Sequence, residues 1–204
     1  MKTFKVYGIQ RTGTNFLTSL IRKNIKKSNV AVNGFGWKHG YVLSRDGIVN
    51  WKRTKNVDIE IPNNIKPIII IKNPYSWYNS IKRWRINCSG SFNFSEQYKR
   101  YNNLYFSHKN MYYSDLYSEP FFIKYEDLIS NEEKEINNIS KHFGVETTET
   151  FDIPKKVKLS DKFTEEKRKY YLRNDDFGMG KKKVKMINDI LDWDMLKSYG
   201  YTKL

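Results

Sequence analysis

A short turn near the start of the chain carries residue types that bind anions. It reads Gln-Arg-Thr-Gly-Thr-Asn over residues 10 to 15 and lies between an apolar run and an amphipathic stretch. A helix beginning there leaves backbone N–H groups unpaired and adds partial positive charge. A glycine lets the backbone approach a ligand closely, and an arginine adds a fixed charge with a forked geometry. The residues predicted to bind the anion are Arg11, Thr12, Gly13, Thr14 and Asn15. An ordinary structural turn can have the same sequence pattern.

The turn departs from the two commonest nucleotide-binding loops. A Walker loop needs Gly-Lys followed by Ser or Thr, whereas Gly13 is followed by Thr14 and Asn15. The later apolar run ends in Lys72 instead of an Asp that could hold a metal ion. The dinucleotide fingerprint fails as well, because Gly-Ile-Gln-Arg-Thr-Gly lacks the middle glycine of G-x-G-x-x-G. These differences exclude a Walker-type nucleotide hydrolase and a dinucleotide-binding enzyme.

A second predicted anion site lies at Lys72 and Ser80. Lys72 follows four consecutive Ile residues, which predict a central strand buried on both faces. Ligands of open α/β sheets bind at the carboxyl ends of such strands. Ser80 follows two turns into the helix that Pro74 is expected to begin. Two separate anion sites indicate a ligand that is phosphorylated at both ends.

The elements that position these residues alternate between strand and helix, which predicts an α/β fold with a mainly parallel sheet flanked by helices. We expect a single domain over residues 1 to 204. The predicted strands begin near Phe4, Asn29, Lys66 and Glu119, and a helix is expected from Ser95 to about Tyr113. A capping box of Ser130 with Glu133 predicts a further helix that stops at Gly144. Beyond it we expect two more helices joined by a basic loop at Asp176 to Lys185.

Composition limits the class of protein. The formal net charge is +15 and Cys88 is the single cysteine, so an intramolecular disulfide and a Cys-rich zinc site are excluded. No signal peptide or apolar run long enough to cross a membrane is visible, and we expect a cytoplasmic protein without a membrane anchor. The charge fits a polyanionic partner, a basic active-site cleft or solubility, and does not choose among them.

Four stretches together resemble sulfotransferases that use 3'-phosphoadenosine 5'-phosphosulfate (PAPS). They are QRTGTNFL, IIIIKNPYSWYNS, FFIKYEDL and LDWDMLKSYGY, and they run in order from about residue 4 to the C-terminus. The resemblance implies a P-loop-like fold in which Arg11 to Asn15 hold the 5'-phosphosulfate, whereas Lys72 and Ser80 hold the 3'-phosphate. It also implies that a basic stretch near the C-terminus closes over the 3'-phosphate, for which Lys181 is the candidate. The product would be 3',5'-bisphosphoadenosine (PAP).

Two positions differ from many members of that family. Those members have Lys where this chain has Arg11, and Arg where it has Lys72. Arg11 can stabilise charge on the bridging oxygen, but its pKa is too high for it to donate a proton readily. Lys72 keeps a charge without the bidentate fork, so Arg83 or Arg85 is expected to assist.

The predicted catalytic residues are His39, Arg11 and Lys38. Sulfuryl transfer needs in-line geometry, charge stabilisation and a base, and it does not require a metal. His39 lies between the two cofactor elements and is the preferred base, with a pocket or hydrogen-bonding role as the alternative. Glu60 and Asp46 are reserve bases. Glu126 and Asp127, in the YEDL motif, are expected to cap and orient the backbone.

The sequence leaves two other functions open. A basic nucleic-acid-binding protein would explain the charge and the aromatic content, although no nucleic-acid-binding motif is recognisable. A P-loop-like phosphotransferase is disfavoured by the missing Walker lysine and metal-binding Asp. For a sulfotransferase, the acceptor would be a small molecule or a glycan, contacted mainly from residues 89 to 119, and no specific nucleic-acid partner is expected.

Overall fold

A parallel sheet with helices on both sides forms the centre of the fold. The computed structural model describes residues 1–32, 38–39, 65–111, 119–154, 156–158, 161–162 and 164–204. The four parallel strands are β1 (Lys2–Tyr7), β2 (Ser28–Val30), β3 (Ile65–Ile71) and β4 (Phe121–Lys124), in the order β2-β1-β3-β4. A separate antiparallel pair consists of β5 (Lys156–Lys158) and β6 (Asp161–Lys162). The predicted α/β fold with a mainly parallel sheet is confirmed.

Eight helices are described. They are α1 (Thr14–Asn24), α2 (Pro74–Ser89), α3 (Phe94–Met111), α4 (Tyr125–Ser130), α5 (Glu132–Phe143), α6 (Glu165–Tyr171), α7 (Lys181–Ile190) and α8 (Trp193–Ser198). In the described part of the chain, no helix is long and apolar enough to span a membrane.

The isoleucine strand divides the core into two layers. Ile68 and Ile70 pack with residues of α1, α4 and α5, whereas Ile69 and Ile71 pack with residues of α2, α3, α7 and α8. All four side chains are buried, which confirms the prediction of a central strand covered on both faces. The carboxyl ends of β1, β3 and β4 therefore meet at one edge of the sheet.

Helix ends follow the sequence signals in α2 and at the end of α5, but not at the start of α5. Pro74 opens α2, and the side chain of Asn73 caps it by accepting the Tyr75 N–H at 2.9 Å. Gly144 ends α5 with φ of 58°, as predicted. The predicted capping box is wrong: Asn131 caps α5 by accepting the Lys134 N–H at 3.0 Å. Ser130 cannot serve because it is the last residue of α4.

The C-terminal part also differs from the prediction. The expected basic loop is helical from Lys181, where α7 begins, so its lysines project from a helix. The expected single helix after it is divided, because α7 ends at Ile190 and Asp192 caps α8 by accepting the Met195 N–H at 2.9 Å. An aspartate that can accept from the backbone favours a new helix start over continuation.

Candidate anion site at the carboxyl ends of the strands

The turn between β1 and α1 is held in a conformation that depends on glycine. Gly13 has φ of 93°, and Arg11 takes the left-handed conformation as well, with φ of 72°. A Cβ at Gly13 would lie 2.5 Å from Cδ2 of Tyr125, which leaves no room for any side chain. Gly13 is the N-cap of α1, no side chain of the described residues caps the helix, and its first turn contains no acidic residue. The backbone N–H groups of that turn therefore suit an anionic ligand.

Arg11 connects the two predicted anion sites. Its Nε donates to Oγ of Ser80 at 3.4 Å, although the two residues belong to the β1–α1 turn and to α2. The long arginine side chain reaches across the carboxyl edge of the sheet between these elements. A side-chain contact therefore joins the two predicted anion sites.

Lys72 is enclosed by aromatic rings. Its side chain is 1% exposed, and its Nζ lies 4.3 Å from the ring centre of Tyr125 and 3.4 Å from that of Tyr171. The Tyr101 hydroxyl donates to the Lys72 carbonyl at 2.6 Å and fixes the backbone. The ring faces stabilise the ammonium in place of water. In this conformation Tyr171 covers Lys72, so a phosphate can reach the ammonium only if that ring moves.

Burial perturbs the titration of Lys72 and Glu126. Burial lowers the pKa of Lys72 to about 7, opposed by Glu126 and assisted by the positive charges of Arg11 and Arg83. Burial also raises the pKa of Glu126, opposed chiefly by the hydrogen bond from Tyr201. Lys72 can therefore gain or lose its proton near neutral pH, and the positive charges of Arg11 and Arg83 lie near it.

Glu126 orients backbone as expected, but the predicted capping is wrong, because within the described part of the chain no side chain caps the start of α4. Its carboxylate accepts the backbone N–H of Asn73 at 3.0 Å and the hydroxyl of Tyr201 at 2.7 Å. These contacts tie the start of α4 to the start of α2 and to the C-terminal segment. Asp127 pairs with Lys124 at 3.4 Å on the surface, away from these contacts.

Lys38 and His39 lie against the same turn. The Gly8 N–H donates to the Lys38 carbonyl at 2.9 Å, and the Lys38 ammonium donates to Oδ1 of Asn15. Nδ1 of His39 lies 2.6 Å from the Gly8 carbonyl oxygen. Because a carbonyl only accepts, Nδ1 carries a proton, so in the neutral imidazole Nε2 carries the lone pair. The predicted base is therefore held in the tautomer that proton abstraction by Nε2 requires.

The two threonines of the turn are buried. The Thr12 hydroxyl donates to the Ile9 carbonyl at 2.7 Å, so that side chain stabilises the turn from within. Thr14 is 4% exposed and begins α1. In this conformation Arg11 and the backbone of the turn are better placed than the threonine hydroxyls to contact a ligand.

Lys181 is exposed and begins α7. Its contact with a 3'-phosphate stays a prediction. The segment before it contacts α2, because Nδ2 of Asn79 donates to the Phe177 carbonyl at 3.1 Å beside Ser80. Helix α7 packs against α2 as well, and the Tyr75 hydroxyl donates to Oδ1 of Asn188.

Sequence reasoning missed three residues of the site. Tyr125 had a signal, since it begins the YEDL motif, but that motif drew attention to its carboxylates. Tyr171 and Arg100 had no sequence signal, because each reaches the site only through tertiary packing. Nη2 of Arg100 donates to the His39 carbonyl at 3.0 Å. The reserve bases Asp46 and Glu60 lie outside the described residues.

No protein-family model matches the chain, and no curated protein matches it. The function must therefore be argued from the site itself.

Proposed function

We propose that this chain is a sulfotransferase that takes the sulfuryl group from PAPS and transfers it to a hydroxyl or amine acceptor. The observation that carries the proposal is the contact between Arg11 and Ser80 at 3.4 Å. It connects the turn that resembles a phosphosulfate-binding loop to the helix that resembles a 3'-phosphate site. A doubly phosphorylated nucleotide lying along the carboxyl edge of β1 and β3 would meet both.

The chemistry of the donor set suits such a ligand. Arg11, Lys72 and Arg83 place positive charge at one edge of the sheet, and the first turn of α1 adds backbone N–H groups. Gly13 supports a P-loop-like turn, since only glycine fits against Tyr125. Arg11 suits the sulfuryl end, and Lys72 with Ser80 suits the 3'-phosphate. Binding there requires Tyr171 to uncover Lys72.

The surrounding residues can assist an in-line transfer. When bound, the donor supplies a sulfuryl group whose bond to the phosphate oxygen breaks while a bond to the acceptor oxygen or nitrogen forms. His39 Nε2 takes the acceptor proton, and the Gly8 carbonyl keeps the imidazole oriented through Nδ1. Arg11 and Lys38 stabilise negative charge on the transferring and leaving oxygens. Arg11 remains protonated throughout, so the leaving phosphate departs as an anion.

Calorimetric titration with PAP tests the proposal. We expect binding in the micromolar range, together with weak duplex DNA binding that disappears as salt is raised. Heat from DNA but not from PAP would contradict the sulfotransferase function and favour a nucleic-acid-binding protein. Tight magnesium-dependent binding of ATP without binding of PAP would instead favour a phosphotransferase.

A further inference from the structure

His39 is held by three hydrogen bonds around its backbone and side chain. The Lys38 carbonyl, which precedes it, accepts the Gly8 N–H at 2.9 Å. The imidazole Nδ1 donates to the Gly8 carbonyl at 2.6 Å. The carbonyl of His39 itself accepts from Nη2 of Arg100 at 3.0 Å. Two of these bonds therefore involve the β1–α1 turn, whereas the third comes from α3.

The three bonds restrain different parts of the residue. The bond to the Lys38 carbonyl fixes the peptide plane before His39, and the bond from Arg100 fixes the plane after it. The directions of these two planes define φ and ψ, and the backbone conformation in turn limits the side-chain rotamers that are allowed. Of the three bonds, the one from Arg100 therefore restrains ψ and, through it, the direction of the imidazole.

Helix α3 also holds the turn that receives the imidazole. The Tyr105 hydroxyl of α3 accepts the Ile9 N–H at 3.4 Å and donates to the Ile70 carbonyl at 2.9 Å. Gly8 lies so close to β3 that a Cβ there would be 2.6 Å from the Ile70 carbonyl oxygen. The same helix thus fixes both the backbone of His39 and the turn that accepts its Nδ1 proton.

We propose that Arg100 is a positioning residue for the base: it fixes the peptide after His39 and so keeps the proton on Nδ1 and the lone pair on Nε2. The inference rests on the proposed sulfotransferase function, because Arg100 acts there through the candidate base. Arg100 transfers no proton itself, since a guanidinium stays charged. A displacement of about 1 Å in a catalytic group can lower a rate by about 100-fold, so its orientation affects turnover strongly.

Selective ¹⁵N labelling of histidine tests the inference in the full chain without any nucleotide. The chain has three histidines, and the signals of His39 are those that disappear in His39→Ala. At about pH 8, above the usual imidazole pKa of about 6.5, the ¹⁵N shifts distinguish the two neutral tautomers. We expect the His39 proton on Nδ1 in the unchanged protein. A proton on Nε2 would overturn the proposal.

Substitutions in α3 provide the decisive comparison. Arg100→Met removes the donor to the His39 carbonyl, so we expect a mixture of tautomers in which Nε2 is partly protonated. Arg100→Lys retains a charged donor and should keep the proton on Nδ1. Lys99→Met is the matched control, because it removes a positive charge from an exposed position of the same helix and should leave the tautomer unchanged. An unchanged tautomer in Arg100→Met, or the same change in Lys99→Met, would overturn the proposal. If Arg100→Met does not fold, Arg100→Gln, which shortens the side chain and keeps it polar, is judged by the same outcomes.

Turnover and nucleotide binding separate positioning from direct ligand contact. In Arg100→Met we expect turnover to fall by about 10- to 100-fold and PAP affinity to change by less than about twofold, with most of the turnover recovered in Arg100→Lys. A loss of PAP affinity in Arg100→Met would make Arg100 a nucleotide ligand and overturn this role. If the unchanged protein does not bind PAP, the proposed function fails, whereas the tautomer of His39 still decides whether Arg100 positions it.

Discussion

The Nζ atom of Lys72 lies 3.4 Å from the centre of the Tyr171 ring. The Tyr125 ring lies 4.3 Å from the same atom, and Arg168 of α6 forms a 2.7 Å ion pair with Glu132. The two ring contacts stabilise the buried ammonium in place of water. If PAP binds here as proposed, its 3'-phosphate must replace the Tyr171 ring as the partner of Lys72.

Replacing Tyr171 tests this exchange. Tyr171→Ala removes the ring that must move, so we expect PAP affinity to rise several-fold while the free energy of unfolding falls by about 1 kcal/mol. Tyr171→Phe retains a ring face and serves as the matched control, with affinity close to that of the unchanged protein. Calorimetry and urea unfolding measure the two quantities. Weaker PAP binding by Tyr171→Ala would mean that the ring contacts the ligand instead of covering its site.

The pKa of Lys72 predicts a pH dependence of binding. Burial lowers this pKa to about 7 in the free protein, and a bound phosphate should raise it, because it favours the charged ammonium. The binding contribution of Lys72 is thus fully present below the free value and is lost as the pH rises through the bound value. PAP affinity should fall by up to about tenfold per unit between about pH 7 and 9.

Calorimetry in buffers with different ionisation enthalpies measures the proton taken up on binding over that range. Lys72→Met should abolish both the uptake and the slope. If the substituted protein keeps the same slope, another group titrates and Lys72 does not contact the nucleotide.

The strongly patterned elements could be predicted from sequence because their determinants are local. Four consecutive isoleucines predict a strand buried on both faces, and Pro74 and Gly144 mark helix ends through their own backbone preferences. The first residue of α5 and the break between α7 and α8 are harder to predict from sequence. There, Asn131 and Asp192 compete with neighbouring residues for the capping position, and small differences decide the boundary.

The candidate site could be predicted only where its residues act through their own type and spacing. Arg11 and Lys72 fall next to strand ends, and Ser80 falls two turns into the helix that Pro74 begins, all of which the pattern identifies. Tyr171 could not be foreseen, since it reaches Lys72 through the packing of α6 against α4. The same holds for the burial that shifts the pKa of Lys72, because exposure is a property of the assembled fold.

Glycine at position 13 is expected to be irreplaceable because of Tyr125. Gly13→Ala should reduce the free energy of unfolding by about 2 kcal/mol or more, since a Cβ there would meet the Tyr125 ring at 2.5 Å. Gly144→Ala is the matched control: φ is also positive, at 58°, but no atom lies within 4 Å of the added Cβ. Gly144→Ala should lower the free energy of unfolding by about 1 kcal/mol. If urea unfolding shows the same decrease in the free energy of unfolding for both variants, the contact with Tyr125 does not explain the effect at Gly13.

His39→Ala should separate binding from chemistry. We expect turnover to fall about 100- to 10,000-fold, because the acceptor proton loses its base, while PAP affinity changes by less than about twofold. Release of PAP from PAPS in a mixture of sugars and amines provides the assay. His142→Ala is the control, since that exposed imidazole contacts the Glu119 carbonyl at 2.9 Å and should not affect turnover. Unchanged turnover in His39→Ala would assign the base elsewhere.

The most direct measurement compares the affinities of PAP, adenosine 5'-monophosphate and adenosine 3'-monophosphate by calorimetry. If the turn around Gly13 and the pair Lys72 and Ser80 hold opposite ends of one nucleotide, PAP should bind at least about tenfold more tightly than either monophosphate. Lys72→Met should remove the advantage of PAP over the 5'-monophosphate. Equal affinities for all three nucleotides, or no binding of PAP, would contradict the two-site account.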